Sequence, residues 1–383
     1  MSGAVGMESS DNGQWEKALA ATGGAVANCF QCGTCTAVCP WGNFTQRFNI
    51  RETLHRGQLG LKPTEGLWLC TTCAACEVGC PRGVQIVDSV RGLRKLALSS
   101  HSAPKGVEPL LWSMFWDGNP LTQPPSERAK WAKGLNVPLF DGKAHEVLLY
   151  VGCSGCFDKR SQATTRAMVS LLNAGGVKFG ILGDAEKCCG DTARSLGAMG
   201  FFEETAIENI ATLTQKGANT IVTMSPHCYD VLKNEYPKRG GKFNVLHYTE
   251  YLAELVDGGK IKTSKPVGGG VTYHDPCYLG RKNGVYEAPR KVLESVGGVK
   301  LTEMSATKAN ALCCGGGGGR MYMETAAGER FSDLRIQQAS ATGAQLLVSS
   351  CPYCITMFED SRKTVKGSAL QVMEVAELLA RAL

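Results

Sequence analysis

A chain of 383 residues is long enough for two or three domains and can bury a full core without covalent staples. It carries 41 Lys and Arg against 35 Asp and Glu, a formal charge of +6, with no dense basic stripe interleaved with aromatics, so nucleic-acid binding is not supported. Its 18 cysteines fall in short clusters, a pattern of metal ligation rather than of a secreted disulfide scaffold.

In chain order, residues 1–28 read as a polar lead-in with a short helix from Gln14 to Ala21. Met1 to Gln14 lack the basic region and apolar core of a secretory signal, and no apolar run reaches the roughly 18 residues of a membrane span. A soluble, cytoplasmic protein is therefore expected, reaching a membrane only indirectly through a partner.

Residues 29–99 carry the strongest local signal: Cys29-x-x-Cys32-x-x-Cys35-x-x-x-Cys39-Pro40, repeated as Cys70-x-x-Cys73-x-x-Cys76-x-x-x-Cys80-Pro81. This is the two-cluster ferredoxin spacing, in which three closely spaced cysteines wrap one cubane and the fourth reaches the other. Cys29, Cys32, Cys35 and Cys80 are thereby assigned to one [4Fe-4S] cluster, and Cys70, Cys73, Cys76 and Cys39 to a second. Zinc knuckles also use C-x-x-C, but they leave the three-plus-one spacing and both Cys-Pro pairs unexplained. After Pro81, apolar residues at helical spacing (Val84, Val87, Val90, Leu93, Leu96) predict an amphipathic helix packed on this domain.

Residues 100–143 form a connection. Six prolines break up any long element there, and Trp112, Trp116 and Trp131 are expected to pack against a surface.

The remainder reads as an internal duplication, 144–265 and 266–383. The first copy has a strand ending near Cys153, then Cys188-Cys189-Gly190, then Ser225-Pro226-His227-Cys228. The second has a strand ending at His274-Asp275-Pro276-Cys277, then Cys313-Cys314 with five glycines, then Cys351-Pro352-Tyr353-Cys354. Adjacent cysteines such as Cys313 and Cys314 form a disulfide only with backbone strain, whereas both can ligate one metal centre, together with Cys277, Cys351 and Cys354. The glycines let backbone amides approach that centre; a phosphate-loop reading lacks the following Lys-Ser/Thr. In the first copy Ser225 stands where Cys351 stands in the second, which leaves Cys153, Cys188, Cys189 and Cys228 as a degenerate site, with Cys156 a conceivable substitute. Alternating strands and helices predict small, mainly parallel sheets. The expected fold class is α+β overall, a mainly helical ferredoxin-like domain followed by a duplicated α/β unit. His274 is a candidate proton donor or a strand-end hydrogen-bonding residue, with His227 its weaker counterpart. Arg320 is expected in a surface ion pair, or facing an anionic substrate or partner.

The doubled ferredoxin motif followed by two CCG units resembles the heterodisulfide reductase family of iron-sulfur oxidoreductases, from Cys29 onward. The resemblance implies a fusion of a ferredoxin-like subunit with a CCG-bearing catalytic subunit. It also implies a non-cubane [4Fe-4S] cluster on Cys277, Cys313, Cys314, Cys351 and Cys354, a ligand set that Ser225 breaks in the first copy. Similar fused chains serve glycerol-3-phosphate and glycolate oxidising enzymes, electron-transfer-flavoprotein oxidoreductases and class II benzoyl-CoA reductase. The implied function is electron transfer between a flavoprotein or other iron-sulfur partner and the non-cubane centre. The alternatives are direct reduction of a small thiol or disulfide substrate and service as a quinone-linked dehydrogenase subunit. Outside redox chemistry, a zinc-stabilised scaffold is the competing reading.

Overall fold

The computed structural model of the chain describes residues 12–45, 47–326, 328–365, 367 and 369–383. Of the lead-in expected over residues 1–28, residues 1–11 lie outside the described residues; the rest begins with the helix Asn12–Ala21. Together with the helices Ile50–Gln58 and Ile86–Ser99 it frames the ferredoxin-like unit. Asn49 starts the second helix: its side chain accepts from the Glu52 amide at 3.2 Å, satisfying one orphan donor of the first turn. Buried Ile50, Thr53, Leu54 and Gly57 fall at i, i+3, i+4 and i+7. They pack against the buried face of Ile86–Ser99, which carries Ile86, Val90 and Leu93. A Cβ on Gly92 would meet the Ala21 carbonyl oxygen at 2.2 Å, so glycine is what lets the first and third of these helices approach.

The connection differs from its sequence-based expectation. A ten-residue helix, Val107–Trp116, runs through it despite Pro109, because that proline is in the first turn, where its missing N–H has no intrahelical partner to lose. Only Trp131 is buried as expected, at 2% exposure. Trp112 and Trp116 are 58% and 72% exposed, on the side of the helix away from buried Leu110 and Met114.

Each cysteine-rich unit is built on a four-stranded, all-parallel sheet. In the first, β1 (Val147–Tyr150), β2 (Phe179–Gly180), β3 (Thr220–Thr223) and β4 (Asn244–His247) take the order β2-β1-β3-β4. In the second, β5 (Gly269–Tyr273), β6 (Val299–Leu301), β7 (Leu346–Ser349) and β8 (Gln371–Glu374) repeat it as β6-β5-β7-β8. Strand β1 is buried along its whole length and nearly all apolar, as a parallel sheet covered on both faces requires. Strand β2 is only two residues long because the chain leaves β1 after Gly180, and Ile181 bridges instead to Leu139 of the connection. Val147, Leu149 and Leu171 of the first unit and Tyr273, Val348 and Leu378 of the second belong to one apolar core. Arg160 reinforces this junction, bonding Glu359 at 3.0 Å and pairing with Glu377.

In both sheets the order reverses between the first and third strands of the unit, the place where open α/β sheets bind ligands at strand C-termini. Cys153 and Cys228 follow β1 and β3; Cys277, Cys351 and Cys354 follow β5 and β7.

Candidate metal centres

The two ferredoxin-type loops have the same backbone. Gln31 and Thr72 have φ of 64° and 52°, and at the equivalent next position Gly33 and Ala74 have 88° and 61°. Left-handed residues at these two places curl each loop so that its thiols converge. For the non-glycine residues this costs about 1–3 kcal/mol each, a strain that clusters at functional sites. Cys29, Cys32, Cys35 and Cys80 line one recess with Phe30, Leu54 and Val84. Cys39, Cys70, Cys73 and Cys76 line a second with Trp41, Phe48 and Ile50. Ile86 lines both, so the two recesses adjoin. Burial pushes the Cys39 thiol up to about 12, while Cys32 is exposed to solvent.

In the second cysteine-rich unit, Cys277, Cys313, Cys314, Cys351 and Cys354 are all buried. Their thiols adjoin in the order Cys277, Cys313, Cys314, Cys354, Cys351, with 3.3 Å between the Cys314 and Cys354 sulfurs. The glycine run does two jobs. Its first amide serves the thiols: Gly315 N–H donates to Cys313 Sγ at 3.3 Å. Its later residues admit the ferredoxin unit, since a Cβ on Gly317 would meet the Thr71 carbonyl oxygen at 2.4 Å and one on Gly318 that of Cys70 at 2.2 Å. Cys313 Sγ consequently reaches the Thr71 hydroxyl, at 3.7 Å. Tyr278, next to Cys277, bonds the Thr72 hydroxyl at 2.8 Å.

His274 Nδ1 accepts from Arg335 Nε at 3.1 Å, and a ring nitrogen lies within 4.8 Å of the Cys314 and Cys354 sulfurs. Its backbone amide also donates to the Val348 carbonyl at the strand end. Asp275 is engaged by Arg290 at 2.8 and 3.0 Å. Arg320 does not stand in a surface ion pair: it is buried, donating to the Glu324 carbonyl and the Thr325 hydroxyl, because the loop after the glycines folds back over it.

In the first unit Cys153, Cys188, Cys189 and Cys228 adjoin in the corresponding place. They line a recess with Ser225, whose hydroxyl accepts from the His227 amide at 3.3 Å. Cys156 is outside that lining; it turns toward Arg128 and Glu186, at 3.8 and 3.9 Å. His227 belongs to the first unit in sequence but reaches the second: Nδ1 bonds Asp191 at 2.7 Å, and the ring lies against Tyr278 and Tyr353. Burial pushes the Cys351 thiol up, but Cys354 and His227 outweigh it and bring it to about 6.

Residues 25–84 match the family described as "4Fe-4S dicluster domain", and residues 147–233 and 271–359 each match "Cysteine-rich domain", also called CCG. The chain is 30% identical to a subunit of the dihydromethanophenazine:CoB–CoM heterodisulfide reductase of Methanosarcina barkeri, over 93% of both chains. The chain belongs to the heterodisulfide reductase-like family of iron-sulfur oxidoreductases.

Two further relatives of this family member are longer. A probable iron-sulfur-binding oxidoreductase, FadF, of Bacillus subtilis is 40% identical over 83% of this chain and 46% of its own length; an EtfAB:quinone oxidoreductase of Syntrophomonas wolfei is 38% identical over 84% and 47%. The chain thus spans about half the length of these two relatives. A crystal structure of a hypothetical Helicobacter pylori protein shares the fold, with a TM-score of 0.54 at 12% identity over 79% of this chain and 58% of that one. Among the described residues no helix is long and apolar enough to cross a membrane.

The residues fit the iron-sulfur clusters of a heterodisulfide reductase-like chain. Soft thiolates are grouped as such clusters need, and buried His274 Nε2 and Arg335 Nη2, beside the second unit's thiols, have no partner among the described residues. Sequence reasoning missed Arg94, Arg128 and Arg335. Arg94 is fully buried and donates to the carbonyls of Leu67, Cys70, Ser195 and Gly318 at 2.7–3.0 Å, joining all three units. Its signal was there: it falls four residues after Val90, on the buried face of its helix.

Proposed function

We propose that this chain is an electron-transfer subunit of a larger redox complex, with three centres in series. Cys29, Cys32, Cys35 and Cys80 hold one cubane, Cys70, Cys73, Cys76 and Cys39 a second, and Cys277, Cys313, Cys314, Cys351 and Cys354 a non-cubane [4Fe-4S] cluster. Such clusters supply one-electron carriage. The single observation that carries this reading is the hydrogen bond from Cys313 Sγ to the Thr71 hydroxyl at 3.7 Å, which sets the second ferredoxin-type loop against the thiols of the second CCG unit.

The chain's own residues support the series in three ways. Ile86 separates the two ferredoxin-type recesses by one side chain. Gly317 and Gly318 remove the side chains that would hold the third thiol set away. Cys313 and Cys314, 1% and 3% exposed, are shielded from water, which favours transfer over open chemistry on a bulky substrate. Exposed Cys32, with Phe30 58% exposed beside it, marks the first recess as the end where a flavoprotein or iron-sulfur partner docks. Ser225 leaves the first CCG unit without a fifth thiolate, and its role in this reading is structural.

The test is freeze-quench electron paramagnetic resonance on anaerobic holo-protein after mixing with a reduced flavodoxin-type donor. Ferredoxin-type signals should appear first and changes in the third centre later. Reduction of the third centre at the same rate in protein whose Cys29 is replaced by Ala would contradict the order.

A further inference from the structure

The thiols of the second unit have two buried nitrogen donors beside them whose hydrogen bonds are unmade. Arg335 is fully buried; Nη1 donates to the Ala306 carbonyl at 2.9 Å and to Gln338 at 2.7 Å, Nε donates to His274 Nδ1 at 3.1 Å, and Nη2 has no partner among the described residues. A guanidinium has only donors, so His274 Nδ1 must be the acceptor. A neutral imidazole carries one N–H, which is then on Nε2. That nitrogen is buried and unpartnered, on a ring that approaches the Cys314 and Cys354 sulfurs to within 4.8 Å. A nitrogen that holds a proton cannot ligate a metal, and buried donors seek acceptors. The acceptors at hand are sulfurs.

Resting on the reading of a cluster at these five cysteines, we propose that His274, its tautomer fixed by Arg335, donates an Nε2–H hydrogen bond to a sulfur of that centre and raises its reduction potential. Arg335 Nη2 is a further buried donor without a partner among the described residues. Reduction adds negative charge to the sulfurs, and donors aimed at them favour the reduced state. The pair is a positioning and potential-setting device, and it is specific to the second unit. After Tyr273 of β5 comes His274, whereas after Tyr150 of β1 comes Val151, which has no side-chain donor. There the buried guanidinium of Arg128 approaches Cys153 directly, at 3.5 Å.

The experiment is a redox titration of anaerobic holo-protein, poised with dithionite and ferricyanide through mediators and followed by electron paramagnetic resonance. The third centre's signal is identified by its loss in Cys313→Ala. A wild type that lacks such a signal contradicts the cluster reading and this inference with it. If the signal is present, His274→Leu should lower its midpoint enough to change the oxidised-to-reduced ratio at fixed potential about tenfold, 59 mV for one electron. The ferredoxin-type signals should keep their potentials, and His274→Gln, which retains an N–H donor, should recover part of the shift. An unchanged midpoint in His274→Leu at full iron content overturns the proposal. Should that variant lose the centre, wild-type protein labelled with [15N]histidine decides by pulsed resonance on the same signal. A weak 15N coupling that persists in His227→Phe supports the hydrogen bond; no coupling, or the strong coupling of a direct ligand, overturns it.

Discussion

Cys313, in the second CCG unit, donates its thiol to the hydroxyl of Thr71, in the second ferredoxin-type loop, at 3.7 Å. Neighbouring contacts hold it in place: Tyr278 to the Thr72 hydroxyl, Arg281 Nε to the Cys73 carbonyl at 2.8 Å, and Gly318 against the Cys70 carbonyl. Two cysteine sets that are far apart in sequence therefore adjoin.

Gly317→Val tests the role of that close packing. Its Cβ would meet backbone at 2.4 Å, which no side-chain movement relieves. Destabilisation of about 1–3 kcal/mol is expected from overpacking, together with slower reduction of the third centre at unchanged iron content. Thermal melting and freeze-quench kinetics measure the two effects separately.

Arg94→Leu should be costlier. It removes the donors from four carbonyls contributed by three units. Each unsatisfied buried group costs about 1–3 kcal/mol, so a loss of at least about 3 kcal/mol is expected in anaerobic denaturant unfolding, with Arg94→Lys intermediate.

Cross-ligation gives a directional expectation. Cys80→Ser should perturb the signal of the cluster on the solvent-exposed Cys32 loop, and Cys39→Ser that of the Cys70 loop, although each cysteine is closest in sequence to the other set. Oxygen sensitivity and resonance lineshapes of the two variants check this, because the exposed site should decay first.

The cysteine spacing made most of this arrangement readable, since it constrains loop geometry directly. The parallel sheets followed from alternating strands and helices, but β4 and β8 were missed: Asn244–His247 and Gln371–Glu374 have polar residues at both ends and pass directly into helices, so they lack the apolar run that marks β1. The joins between units were not legible at all. His227 lying against Tyr353, and Arg335 holding His274, depend on which faces of two similar sheets meet, and no local pattern encodes that. Arg320 was misread because a polar residue after a glycine run looks exposed until the following loop is seen to cover it.

Trp112 and Trp116 were also misread, and their exposure has a consequence for stability. Replacing either by Ser should change stability by no more than about 0.5 kcal/mol, whereas Trp131→Ala, in the core, should cost about 3–5 kcal/mol. Thermal melting of the three variants separates the cases.

The most direct measurement is iron and acid-labile sulfide per chain on anaerobically purified protein, with electron paramagnetic resonance after oxidation and after reduction. Two cubanes and one special centre require about 12 irons and an oxidised signal that Cys313→Ala abolishes. About 8 irons, with no such signal, would leave only the ferredoxin-type pair filled and contradict the three-centre series.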